Sequence, residues 1–204
     1  GTVLTSFVNY GALANPNHAD NMFGISDAYF NSNFWYRRTF SLPQQMRGQR
    51  VLLNFDGINW KANVWLNGKK IDRIEGAFMR STVDITPYLN GGTNTLAVLI
   101  HKNAHPGSIK EKNHLNTDYN GGILGADNPT FHATTGWDWI STIRGRDIGI
   151  WNDVYLTFTA SVTLADPVVS TRLDNLPDTL ATITPRVVAH NWLDKEVCGT
   201  LRGW

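Results

Sequence analysis

The sequence holds a single cysteine, Cys198, in 204 residues. That excludes an internal disulfide framework and every multi-cysteine metal site. Glutamate is nearly as scarce, with only Glu75, Glu111 and Glu196 present. Charged residues make up 17%, against about 25% in an average globular chain. Eighteen Lys and Arg stand against seventeen Asp and Glu, leaving +1. A chain so balanced carries no global field for nucleic acid or for an anionic membrane surface. No apolar run approaches the ~18 residues that a membrane-spanning helix needs. No basic-then-apolar leader opens the chain, so an export signal is read as removed or never present. The phosphate-cradling patterns GxGxxG and GxxxxGK(S/T) do not occur, nor does the GxSxG nucleophile elbow.

What the chain does have is a 42% hydrophobic content, eight Trp, twenty Asn and eighteen Gly. That hydrophobic share supports a sizeable core and excludes a disordered chain. Asn and Gly serve tight turns because they tolerate positive φ. Indole rings fill cores, and they also offer flat faces on which sugar rings stack.

Residues 1–30 show no sustained periodicity and read as a long irregular arm. From Phe34 the pattern is strand-like, over Phe34–Phe40 and again over Arg50–Phe55, with Asp56-Gly57 as a turn. Strict alternation follows. Ile58, Trp60, Ala62, Val64 and Leu66 are predicted on one face of a half-buried strand that ends at the hairpin signal Asn67-Gly68. Further strands are predicted over Met79–Ile85, Thr95–Lys102 and Ile148–Phe158, with one helical turn in Asp84–Leu89. Beyond Thr159 the texture changes to short β-segments at Val168–Leu173, Leu180–His190 and Lys195–Leu201. Nowhere do apolar residues keep helical spacing for three turns, so helix is minor and a sandwich or barrel is expected. Residues 103–147 carry little strand pattern, and so long an irregular stretch inside a domain is usually functional.

Six histidines invite a metal reading, but His101 and His105 run from strand into a Pro106-Gly107 turn, where their spacing does not converge. No metal site is expected, since such sites need three or four convergent ligands. Asp56, Asp72 and Asp84 sit beside turns, where Asp caps backbone N–H groups. The three glutamates lie in polar contexts, and no glutamate pair for retaining glycoside hydrolysis, ~5–5.5 Å apart, can be nominated. No catalytic residue is therefore expected in this chain. One constellation is dense: Gly136-Trp137-Asp138-Trp139, then Arg144-Gly145-Arg146-Asp147, then Gly149-Ile150-Trp151. Trp137 and Trp139 flanking Asp138 suit a sugar, whose C–H faces stack on indole while the carboxylate accepts from vicinal hydroxyls. An Asp–Arg ion pair that merely holds the loop fits the same residues equally well.

The order Phe34-Trp-Tyr-Arg-Arg-Thr-Phe40, Leu53-Asn-Phe-Asp-Gly57 and Ala62-Asn-Val-Trp-Leu-Asn-Gly68 resembles the N-terminal sugar-binding domain of glycoside hydrolase family 2. Asp84-Ile-Thr-Pro-Tyr-Leu89 and Gly149-Ile-Trp-Asn-Asp-Val-Tyr-Leu156 continue the match. The Trp137-Asp138-Trp139 loop, Gly1-Thr-Val-Leu4 and Asn17–Asn21 look most like the β-mannosidase and exo-β-glucosaminidase branch. The resemblance implies an all-β fold, in which residues 1–160 form a galactose-binding-domain-like jelly-roll β-sandwich. Residues 161–204 would be the opening strands of a truncated immunoglobulin-like β-sandwich, and the chain looks trimmed at both ends. It implies a non-catalytic domain of a retaining exo-β-glycosidase whose two catalytic glutamates lie in a downstream barrel. That domain would support the barrel and lend a loop to the glycone pocket. Trp137, Asp138 and Trp139 would touch substrate while Arg144 and Arg146 position the loop, with no cofactor and no metal. The partners would be a β-linked mannoside or glucosaminide and the catalytic barrel, with no nucleic acid and no membrane. A periplasmic or extracellular location is expected. At Ile140-Ser141 the sequence departs from the Gly-Pro of the β-mannosidase pattern, so the glycone stays open. The alternative is a free-standing, lectin-like carbohydrate-binding module.

Overall fold

In the computed structural model the described residues are 1–46, 48–105, 107–108, 123–124, 145, 148–173 and 180–203. The chain opens with a short helix, α1 (Val3–Asn9), where an irregular arm is the sequence expectation. Its cause is local. The side chain of Thr2 caps the helix by accepting from the Thr5 N–H, and Val3 and Leu4 are buried beneath it. Phe7, one turn on from Val3, brings its ring to 6.2 Å from Phe30 and 6.3 Å from Phe34. Two 3₁₀ turns follow, Asn21–Gly24 and Asp27–Phe30.

The strands are β1 (Phe34–Ser41), β2 (Arg50–Phe55), β3 (Ile58–Asn59), β4 (Lys61–Leu66), β5 (Lys69–Glu75), β6 (Ser81–Asp84) and β7 (Thr93–Ile100). After them come β8 (Gly107–Ser108), β9 (Ile123–Leu124), β10 (Gly149–Ile150), β11 (Val154–Thr159), β12 (Val162–Arg172) and β13 (Thr182–Asn191). A four-stranded antiparallel sheet has the order β1-β7-β4-β5, and a three-stranded one the order β11-β2-β6. β10 pairs with β3, and β8 with β9. Together these sheets make the all-β, jelly-roll sandwich that the resemblance implies.

The core is supplied by inward-facing residues of both sheets. Ala62, Val64 and Leu66 of β4, with Val98 and Ile100 of β7, meet Val51, Leu53 and Phe55 of β2. Full burial of each large side chain is worth roughly 1.5–3 kcal/mol, so this contact drives the closure of the two sheets. Trp60 departs from the predicted alternation. The chain passes from the β3–β10 pair into the four-stranded sheet between Asn59 and Lys61, and Trp60 ends half-buried with the Lys61 ammonium 4.3 Å above its ring. Along the β1 and β11 edges the sandwich is open, and a cleft of about 620 Å³ is walled there by Tyr36, Phe40, Leu53 and Val154.

Two asparagines, the buried Asn94 and the half-buried Asn67, lock one end of the sandwich. The Asn94 Oδ1 accepts from Asn67 Nδ2 at 2.8 Å and from the Asn90 N–H at 2.7 Å. Its Nδ2 donates to the carbonyls of Gly92 and Asn90. Asn67, at φ +52 in the predicted hairpin turn, also accepts from the Thr95 N–H and donates to the Tyr88 carbonyl. The β4–β5 turn, the Thr86–Tyr88 3₁₀ turn and the start of β7 therefore share one amide network.

Gly57 answers a different demand. The Trp151 N–H donates to the Gly57 carbonyl at 3.2 Å, and the indole lies so close that a Cβ on Gly57 would sit 2.5 Å from its Cε2. The indole Nε1 donates to the Ala77 carbonyl at 3.0 Å. Residues 151–153 thus interrupt the strand predicted over Ile148–Phe158, splitting it into β10 and β11.

Beyond the sandwich, β12 and β13 form an antiparallel ribbon whose register shifts between Ala165 and Val168. Lys195–Leu201, predicted as a strand, carries no strand pairing. Those residues are exposed and follow the turn in which Asn191 Nδ2 donates to the Lys195 carbonyl. The ribbon is clasped to the sandwich by Arg50. Its guanidinium pairs with Asp84, donates to the Trp192 carbonyl at 2.9 Å and lies 5.6 Å from the Trp192 ring centre.

Two stability predictions follow from these contacts. Asn94→Ala removes a buried amide that makes four hydrogen bonds at once, so urea denaturation is expected to show a loss of about 2–4 kcal/mol. An unchanged midpoint would remove the network from the account of the fold. Gly57→Ala forces the indole aside and is expected to cost about 1–3 kcal/mol by overpacking. In the double variant with Trp151→Ala the two losses should fail to add; strict additivity in melting experiments would show that the ring is not what excludes a side chain at position 57.

Candidate functional site

The constellation that the sequence singles out, Trp137, Asp138 and Trp139 with Arg144 and Arg146, lies outside the described residues. What the structure defines is where the segment that carries it is rooted. At its C-terminal foot, Gly145 is buried, and a Cβ there would lie 3.0 Å from the Leu4 Cβ and 3.1 Å from the Phe30 ring. The Ile148 N–H donates to the Gly145 carbonyl at 2.9 Å, and the Val3 N–H donates to the Ile148 carbonyl at 2.8 Å. Helix α1 is therefore the seat of the foot, which is why its two buried residues are the ones nearest Thr2.

Gly149 completes this seat. Its φ of +120 is open to glycine and strained for any L side chain. A Cβ there would lie 2.3 Å from the Tyr36 hydroxyl. That hydroxyl donates to the Gly1 carbonyl at 3.0 Å. Tyr36 faces inward from β1, and burial pushes its phenol above its usual range. The Ile150 backbone and the Ser6 side chain act in the opposite sense and do not overcome it.

The N-terminal foot leaves the end of β7, whose last residue Ile100 is level with Phe34 and with Ala62. The Lys102 N–H donates to Asn33 Oδ1 at 2.9 Å, and its ammonium reaches Asn31 Oδ1 at 3.3 Å. His101 Nε2 lies 2.9 Å from Asn63 Nδ2. Next comes Asn103, only 5% exposed, whose side-chain oxygen and nitrogen both lack a hydrogen-bond partner. A buried amide left so costs about 1–3 kcal/mol. It is a group equipped to accept from and donate to a polar molecule brought to it. Both feet thus stand at one end of the sandwich, around Phe34, Ile100 and Gly149.

Among the described residues no three His, Cys, Asp or Glu side chains gather as metal ligands. No helix among them is long and apolar enough to cross a membrane. Asp84 serves its turn, as the sequence suggests, accepting from the Thr86 N–H, whereas Asp72 lies within β5 rather than beside a turn and accepts from the Arg73 N–H and the Ser81 hydroxyl. Glu75 accepts from Arg73 at 2.8 Å and lies 3.2 Å from the Lys61 ammonium. The hydrogen bond from Lys61 leads in holding its carboxyl below the usual range. Sequence reasoning missed Asn103 and the seat formed by Leu4 and Phe30. The Thr2 cap with Val3, Leu4, Phe7 and Val8 at helical spacing was the available signal for the seat.

Comparison with known proteins agrees with this architecture. The glycosyl hydrolase 2 galactose-binding domain-like family matches residues 1–152. The mannosylglycoprotein endo-β-mannosidase of Lilium longiflorum is 37% identical over 171 residues, covering 81% of this chain and 17% of that protein. The exo-β-D-glucosaminidase of Streptomyces avermitilis is 30% identical over 206 residues, covering 99% of this chain and 20% of the relative. Among solved structures, the exo-chitosanase of Amycolatopsis orientalis superposes with a TM-score of 0.66 at 26% identity, over 93% of this chain and 20% of that one. The β-D-mannosidase of Dictyoglomus thermophilum, at 20% identity, shares the fold with a TM-score of 0.68 over 94% of this chain and 23% of its own. The chain thus spans about a fifth of the length of the curated relatives it matches.

The titration of Tyr36 gives a test of the seat. Its raised folded-state pKa means that the native protein holds the phenol proton more tightly than the unfolded chain does. The resulting stability is fully present below the unfolded value of about 10 and is lost as pH rises through the folded value. Stability measured from pH 8 to 11 should therefore fall more steeply above pH ~10 in the native sequence than in Tyr36→Phe. Parallel curves for the two proteins would contradict a buried, protonated Tyr36.

Proposed function

Because the chain belongs to the glycosyl hydrolase 2 galactose-binding domain-like family, whose β-mannosidase and exo-β-glucosaminidase members align along it, we propose that it is the non-catalytic sugar-binding domain of a retaining exo-β-glycosidase. In that role it supports the catalytic barrel and lends the 103–147 segment to the glycone pocket. The observation that carries this reading is the rooting of both feet of that segment at one end of the sandwich, with the seat at Leu4, Phe30 and Gly149 under one foot and the unpartnered amide of Asn103 in the other. A rigid base is what a binding loop needs, because side chains held on a fixed scaffold give up less freedom when a ligand arrives.

Within the segment, Asp138 accepts from glycone hydroxyls and Trp137 or Trp139 walls the pocket. Arg144 and Arg146 position the loop through ion pairs, since a neutral glycone carries no charge for them to meet. The substrate class is a β-linked mannoside or glucosaminide, and the partner is the catalytic barrel of the longer protein. We assign residues 1–160 to the sugar-binding domain and residues 161–204, with the β12–β13 ribbon, to the opening of an immunoglobulin-like sandwich. A polymeric glycan does not cross a membrane, so a periplasmic or extracellular location suits the activity.

Charge-assisted hydrogen bonds contribute roughly 1.5–3 kcal/mol each. A carboxylate whose hydroxyl partners shift as the ring distorts serves the transition state more than the ground state. Asp138→Ala in the full-length enzyme should lower kcat/KM by about one to two orders of magnitude, at ~1.4 kcal/mol per tenfold. Its melting temperature should stay unchanged. Activity and melting temperature falling together would make Asp138 a partner of the arginines instead. Binding of a mannoside or glucosaminide well below ~1 mM by residues 1–204 alone would favour a free-standing carbohydrate-binding module.

A further inference from the structure

The outward face of the four-stranded sheet presents two tryptophans that the core does not account for. Strand pairing sets Trp35, Leu99, Asn63 and Arg73 level in one row across β1, β7, β4 and β5. The neighbouring row is Arg37, Ala97, Trp65 and Lys70. Trp35 and Trp65 stand diagonally on either side of β7. Ala97 is small enough for the indoles to lean together above it, with ring centres 5.1 Å apart and planes inclined by 47°. Trp35 remains 61% exposed. An indole left so open on the edge strand of the sheet forgoes the several kcal/mol that burial of so large a side chain would bring.

The polar surround narrows what fits there. Lys61 and Arg73 share the carboxylate of Glu75. Lys70 holds its ammonium 5.9 Å from the Trp65 ring centre, and Arg37 stands at the far end of the same row. Among the described residues, four cations thus meet one carboxylate on this face, around a pair of stacking surfaces. Asn63, steadied by His101, adds an amide beside the rings. Inclined aromatic faces match the C–H faces of successive sugar rings in a twisted chain. Cations at both ends of a row match negative groups spaced along such a chain.

We propose that the face centred on Trp35 and Trp65 binds a glycan chain bearing carboxylate groups, with the indoles stacking on its rings and Arg37 and Lys70 meeting its carboxylates. This does not rest on the reading of Asp138, and the Asp138 experiment leaves it untouched. The same cations disfavour a polymer of protonated glucosamine, so charge separates acidic from basic glycans here.

The test titrates residues 1–204 with three probes: a hyaluronan hexasaccharide, β-1,4-mannohexaose and a hexamer of glucosamine. Tryptophan fluorescence and calorimetry are the readouts. The acidic hexasaccharide should bind with Kd of about 0.1–1 mM, and raising salt from 50 to 300 mM should weaken it several-fold, as screening requires. Trp35→Ala and Trp65→Ala should each weaken it about tenfold, or ~1.4 kcal/mol, with the melting temperature held. Arg37→Ser combined with Lys70→Ser should remove the preference for the acidic probe. Equal binding of all three probes, preference for the glucosamine hexamer, or no binding overturns the proposal. So does protection of Trp35 from N-bromosuccinimide in the longer protein, which would mean that another domain covers the face.

Discussion

The close approach of the Gly149 backbone to the Tyr36 hydroxyl governs how the long segment is held. A positive φ and the lack of a Cβ at Gly149 let β10 lie against the Tyr36 side chain of β1, whose hydroxyl reaches the Gly1 carbonyl. From that contact the order of events is geometric. The N-terminal stretch is pinned, α1 is laid over Phe30, and Ile148 and Gly145 close against the helix. Any residue larger than glycine at 149 would separate the tail of the segment from its seat.

The two sheets divide the work between them. The three-stranded sheet is the buried partner: β2 has almost every side chain out of solvent, and Asn54 satisfies its amide by donating to Thr157 and accepting from Thr82. The four-stranded sheet alternates strictly on β4, with Ala62, Val64 and Leu66 inward and Lys61, Asn63 and Trp65 outward. One sheet therefore supplies cohesion, while the other is free to carry chemistry on its outer face without cost to the core.

Much of this is legible in the sequence, and the failures have physical causes. Asn67-Gly68 specifies its hairpin because both residues accept positive φ, and both adopt it. The β4 alternation is legible because one face is buried and the other wet. The same rule fails at Trp60, since periodicity cannot show a chain changing sheets between Asn59 and Lys61. Helix α1 is easily missed because seven residues show helical spacing only once, at Val3, Leu4, Phe7 and Val8, and its packing partners Phe30 and Phe34 lie far along the chain. The length of the 103–147 segment sets it apart in the sequence, but the meeting of its foot with Leu4 and Phe30 is a tertiary arrangement that local spacing does not show. Asn103 illustrates the limit: one asparagine among twenty is indistinguishable until its burial is known.

The Arg50 clasp has a mechanical consequence. The ribbon of β12 and β13 leaves the sandwich after β11 and comes back to it at Trp192, where the guanidinium joins Asp84 to the Trp192 carbonyl. The root of the ribbon is thus fastened at two points, the chain itself and this ion-paired arginine at the head of β2. A pull on the ribbon is borne in parallel by β11 and by β2, the middle strand of its sheet, rather than by a peeling edge. Tension on the ribbon is spread in shear across several backbone hydrogen bonds, and the sandwich moves with the ribbon as one lever.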